Sequence, residues 1–152
     1  MTSTETPRVR HKTFHYSASV VWLGDRAGLN RSEGKLAFRV ASPPEFKGEP
    51  GVWTPEDLFV AAVNTCTMTT FAAFSSKRDV PVRSYESSAE GTLEFADGKY
   101  RFTRVVVRPR IVATAPATRE LIESILEDAH KGCLISNSIS GEVVIEAEIV
   151  IE

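Results

Sequence analysis

The segment from Thr54 to Ser75 constrains this chain more than any other. Thr54-Pro55-Glu56-Asp57 is a strong helix start: threonine caps, proline suits the first helical position, and two acids sit at the positive end of the dipole. From Leu58 to about Ser75 the helix is apolar or small on nearly every face. Phe59, Ala62, Val63, Cys66, Thr70 and Ala73 share one side at helical spacing, and Leu58, Ala61, Thr65, Met68 and Ala72 share another. Such a helix has to be covered all round, by its own domain or by a partner chain.

The flanking sequence reads mainly as strands. Thr13 to Leu23 is aromatic and β-branched, Gly24 to Gly28 supplies turn residues, and Lys35 to Ala41 is expected to return as a strand. Ser42 to Trp53, with three prolines and two glycines, favours an ordered loop. Val82 to Phe95 and Tyr100 to Ala113 form a hairpin around Ala96-Asp97-Gly98-Lys99. Pro116 opens a second helix, with Leu121, Ile122, Ile125, Leu126 and Ala129 as its apolar stripe and Gly132 as its cap. Val143 to Ile151 alternates as a half-buried strand. Strands in pairs, not alternating strictly with helices, predict an α+β fold with mainly antiparallel pairing.

A chain of 152 residues suits one domain, with room for a smaller lobe. Eighteen basic and 20 acidic residues leave a net charge of −2, so no basic field invites nucleic acid or an anionic membrane surface. No run is expected to span a bilayer, and the N-terminus has no apolar stretch of a secretory signal. Residues 1–11 read as a disordered tail, and the expected location is the cytoplasm.

Two cysteines are too few for a disulfide scaffold or, alone, for a closed zinc site, and no metal or other cofactor is expected. Cys66 lies inside the long helix and Cys133 directly follows the second one. Both suit the role of small buried hydrophobes; both also suit a transient disulfide in a reducing compartment. A reactive thiol needs its thiolate form, and a free thiol near pKa 8.5 is only about 3% ionised at pH 7. Cys66 is too far from the helix N-terminus for the dipole to help, and burial acts in the wrong direction. This reasoning calls for a nearby cation. Glu56, ten residues and about 15 Å earlier along an ideal helix, is placed to bracket an arginine, or simply to serve the dipole.

Thr54-Pro55-Glu56-Asp57-Leu58-Phe59-Val60-Ala61-Ala62-Val63-Asn64-Thr65-Cys66 closely resembles the signature helix of the OsmC/Ohr family, the osmotically inducible and organic-hydroperoxide-resistance proteins. Lys131-Gly132-Cys133-Leu134-Ile135-Ser136 is similar to the family's Gly-Cys-Pro-x-Ser element, and Ser42 to Gly48 to the stretch before the signature helix. Order and spacing agree over roughly residues 12 to 151, which makes 12–152 a single OsmC-like domain. The resemblance implies an intertwined homodimer in which curled antiparallel sheets enclose the central helices. It also implies a thiol peroxidase: Cys66 reduces an organic hydroperoxide, Cys133 resolves the sulfenic acid as a disulfide, and a dithiol, a lipoylated protein in some members, restores the enzyme.

Two departures accompany the likeness. Glu45 stands where one branch of the family carries arginine, and Leu134 stands where proline usually follows the resolving cysteine. Gly24-Asp25-Arg26-Ala27-Gly28 matches the arginine context of the other branch, which makes Arg26 the candidate activator, with Arg31 and Arg39 as alternatives. Phe59, Met68 and Phe71 are expected to furnish an apolar approach for an organic substrate. The same residues also admit a non-enzymatic dimeric protein holding an acyl-type ligand, or a redox sensor.

Overall fold

The computed structural model describes residues 10–152; most of the expected tail, residues 1–9, lies outside the described residues. The chain forms two compact units, one ending at Trp53 and the other spanning Thr54–Glu152.

The first unit is a three-stranded antiparallel sheet of β1 (Ser19–Gly24), β2 (Ala27–Arg31) and β3 (Phe38–Ala41), in that order. The strand expected from Thr13 begins only at Ser19, where Arg31 supplies its first ladder partner. A strand needs a neighbour for its backbone, and alternating aromatics do not provide one. The turn is shorter than expected, because Ala27 and Gly28 belong to β2. A Cβ on Gly28 would sit 2.8 Å from the Val20 side chain and 3.2 Å from the Val21 carbonyl, so this glycine permits close strand approach. The proline-rich loop is ordered as expected. It contains a short 3-10 turn, Pro44–Phe46, and Trp53 returns its carbonyl to the Ala41 N–H at 3.0 Å.

The second unit opens with α1 (Pro55–Lys77). Thr54 and Asp57 form a reciprocal capping box, each side chain taking the other's backbone N–H at 3.0 Å. Long strands β4 (Val82–Ala96) and β5 (Lys99–Ala113) follow, and their hairpin turns at Asp97 and Gly98, both at positive φ. Helix α2 (Arg119–Gly132) is capped by the Thr118 hydroxyl and buries Ile122, Ile125, Leu126 and Ala129. These pack with Phe71, Ile111, Ala113 and Ile149 into the larger core. A smaller core joins Val63 of α1 to Val105 and Val107 of β5.

The expected final strand is two strands, β6 (Glu142–Ile145) and β7 (Glu148–Ile151), and both run parallel to β5. The physical reason is α2: a helix between two strands crosses over the sheet and returns the chain in the same direction. The fold is α+β, with antiparallel hairpins and a parallel edge.

Helix α1 buries only Val63, Thr67, Phe71 and Ser75. Contrary to the expectation that no run approaches a membrane span, α1 is long and apolar enough for one by length and composition. Here that apolarity meets β4, β5 and α2 on one side. On another side Thr65, Met68, Thr69, Ala72 and Ser76 form an exposed stripe.

Candidate functional site around Cys66

Cys66 lies near the middle of α1, and Cys133 caps the C-terminus of α2. The two helices meet just beyond Cys66. A Cβ on Gly132 would stand 3.3 Å from the Phe74 ring and 3.7 Å from the Thr70 methyl, so the end of α2 lies close against α1 here. Thr70 therefore faces both elements, and its hydroxyl oxygen is 3.8 Å from the Cys66 sulfur. Both cysteines are free thiols, Cys66 half-buried and Cys133 fully buried.

The chain after Cys133 wraps back toward that sulfur. Burial pushes the Cys66 thiol up more than any single neighbour pulls it down. Hydrogen bonds from the Ile135 N–H, the Cys133 thiol, the Thr70 hydroxyl and the Leu134 N–H nevertheless hold it below the ordinary thiol value. The Ser136 hydroxyl in turn donates to the Cys133 sulfur at 3.1 Å. Dipoles of peptide and hydroxyl groups within the second unit thus lower this thiol. Backbone amides leave no mark in a sequence; the one available signal was Leu134, a residue with an N–H where proline has none.

The other expected residues belong to both units, each with its own neighbours. Glu56 sits in the first turn of α1, and its Oε2 is buried with no hydrogen-bond partner among the described residues. Arg26 belongs to the first unit, at the β1–β2 turn, where its guanidinium donates to the Phe46 carbonyl. Arg39, in the same unit, is held by Glu49 through two bonds of 2.7 Å. Phe59 stacks on Phe102 with centroids 4.5 Å apart. Met68 and Phe71 instead line a different space, a cavity of about 350 Å³ shared with Ala72, Ser75, Val80, Val82 and Tyr85. Sequence reasoning did not find this cavity; Ser75 and Tyr85 line it, but their hydroxyl oxygens are themselves buried.

Known proteins add family and fold. The sequence model of the OsmC-like protein family matches residues 48–148. "Uncharacterized protein YmaD" of Bacillus subtilis (strain 168) is 26% identical over 139 residues, covering 88% of this chain and 92% of its own. An OsmC-like protein of unknown function from Vibrio cholerae superimposes with a TM-score of 0.84 at 29% identity, over 90% of this chain and 100% of that one. An organic hydroperoxide resistance protein OsmC from Legionella pneumophila shares the fold, with a TM-score of 0.72 at 22% identity over 92% and 99% of the two chains.

Proposed function

This chain belongs to the OsmC-like protein family, and from that premise we propose that it is a two-cysteine thiol peroxidase acting on organic hydroperoxides. The observation that carries the reading is the placing of the two thiols: the Cys133 thiol is among the groups that lower the Cys66 thiol against burial, and both cysteines are free. The Cys66 thiolate attacks the outer oxygen of the hydroperoxide, the O–O bond breaks, and the alkoxide leaves with a proton as the alcohol. Cys66 is then a sulfenic acid. The Cys133 sulfur displaces its hydroxyl as water and forms a disulfide, which a dithiol reductant opens by exchange. Such a cycle belongs to a reducing compartment such as the cytoplasm, where a permanent disulfide would not persist.

Three further features support the reading. The unpartnered Glu56 oxygen calls for a donor, and an arginine fits it, with Arg26 as the candidate from the family likeness. The exposed stripe of α1 carries no charged side chain, and a second copy of the chain would bury it in a homodimer. Apolar side chains around α1 favour an alkyl or aryl hydroperoxide over hydrogen peroxide. The test is a titration of the reduced protein with cumene hydroperoxide: two thiols are lost per peroxide consumed, and Cys66→Ser consumes none. Wild-type peroxide consumption by Cys66→Ser overturns the assignment.

One observation favours a second reading, a binding protein for a small acyl-type ligand. The cavity beside Met68 and Phe71 is lined mainly by apolar side chains, with Ser75, Ser76 and Tyr85 among them, a lining suited to an apolar body. Tight retention of such a ligand by a protein that leaves cumene hydroperoxide untouched would favour it. A redox sensor would form the same disulfide without turning over with a dithiol.

A further inference from the structure

The turn that follows α2 is short of acceptors. Cys133 donates its N–H to the His130 carbonyl, and Asn137 and Ser138 donate to the carbonyls of Cys133 and Ile135. The N–H groups of Leu134 and Ile135, between them, have no backbone or side-chain oxygen acceptor among the described residues. Two successive free amides in a turn make a concavity for an anion. Gly132 lies against Thr70 and Phe74 of α1, and the Thr70 hydroxyl is 3.8 Å from the Cys66 sulfur, which brings this turn close to Cys66.

We propose that the Leu134 and Ile135 amides form a nest that holds the Cys66 sulfur as an anion, and that leucine in place of proline at 134 supplies one of its two donors. The inference rests on the peroxidase reading only for its purpose; the nest itself is a property of the reduced protein. The direction of the Cys66 thiol agrees with it, since both amides act to lower it against burial. Cys133 is the titratable group facing the sulfur, and no charged side chain of the second unit contributes to the shift. A chain with proline at 134 would keep one amide donor and depend more heavily on a guanidinium.

The test is Leu134→Pro. Cys133 already has the extended conformation that a following proline requires (φ −69°, ψ 111°), so the turn can accept it. Iodoacetamide labelling of Cys66, read by peptide mass, should slow about three- to tenfold near pH 7, the worth of one hydrogen bond to a charged group at a partly exposed site. The rate should return to the wild-type value at a pH where Cys66 is ionised in both proteins. In parallel, the Leu134 and Ile135 amide resonances of the wild-type protein should titrate with the inflection of Cys66 labelling and lose it in Cys66→Ser. Unchanged labelling in a folded Leu134→Pro, or amide signals indifferent to Cys66, overturns the nest. If the amides follow Cys66 while cumene hydroperoxide is untouched, the nest stands and the peroxidase reading falls.

Discussion

Thr70 offers the sharpest test of how the Cys66 sulfur is controlled, because one side chain serves two purposes there. Its hydroxyl lies 3.8 Å from the sulfur, and its methyl lies 3.7 Å from where a Cβ on Gly132 would stand. Thr70→Val keeps the shape that seats the end of α2 and removes only the hydroxyl. A hydrogen bond to a charged group contributes about 1.5–3 kcal/mol; at this length, with the sulfur partly exposed, about 0.5–1 kcal/mol is the appropriate share. That is a two- to fivefold loss of thiolate below the thiol's pKa, read as slower iodoacetamide labelling of Cys66. The sign carries over to stability. The folded thiol lies below its unfolded value of about 8.5, so its contribution is fully present above that pH and lost as pH falls through the folded value. Thr70→Val should therefore lose stability relative to wild type at pH 9 and match it more closely at pH 6, apart from a constant offset. Equal labelling profiles for the two proteins would show that the hydroxyl does not act on the sulfur.

Two other substitutions probe the neighbourhood. Ser136→Ala removes the 3.1 Å hydroxyl contact to the Cys133 sulfur, so the sulfenic acid at Cys66, trapped by dimedone, should persist several-fold longer before the disulfide closes; a lifetime equal to wild type would exclude Ser136 from positioning Cys133. Gly91→Ala places a methyl 2.7 Å from the Val60 side chain and 2.8 Å from the Phe102 ring, which is itself stacked on Phe59. Overpacking of about 1–3 kcal/mol should lower the urea midpoint, and an unchanged midpoint would show that α1 can lift from β4 without cost.

The parts of this protein written in its sequence are those whose causes are local. Thr54, Pro55 and Asp57 start α1 through bonds spanning three residues, Asp97 and Gly98 turn the hairpin through their own backbone angles, and the stripe of Ile122, Ile125, Leu126 and Ala129 needs only helical spacing to define a buried face. The two cysteines and the motifs around them are visible in the chain for a related reason, since both are local. Tertiary structure alone decided the direction of β6 and β7, because a strand's pattern is the same read in either orientation and the crossover by α2 selects one. It also set the start of β1 at Ser19, where the neighbouring strand runs out. Most of all it decided what surrounds the Cys66 sulfur. Peptide N–H groups occur at every residue except proline, so which of them remain free, and what they face, emerges only when the turn after Cys133 folds back against α1.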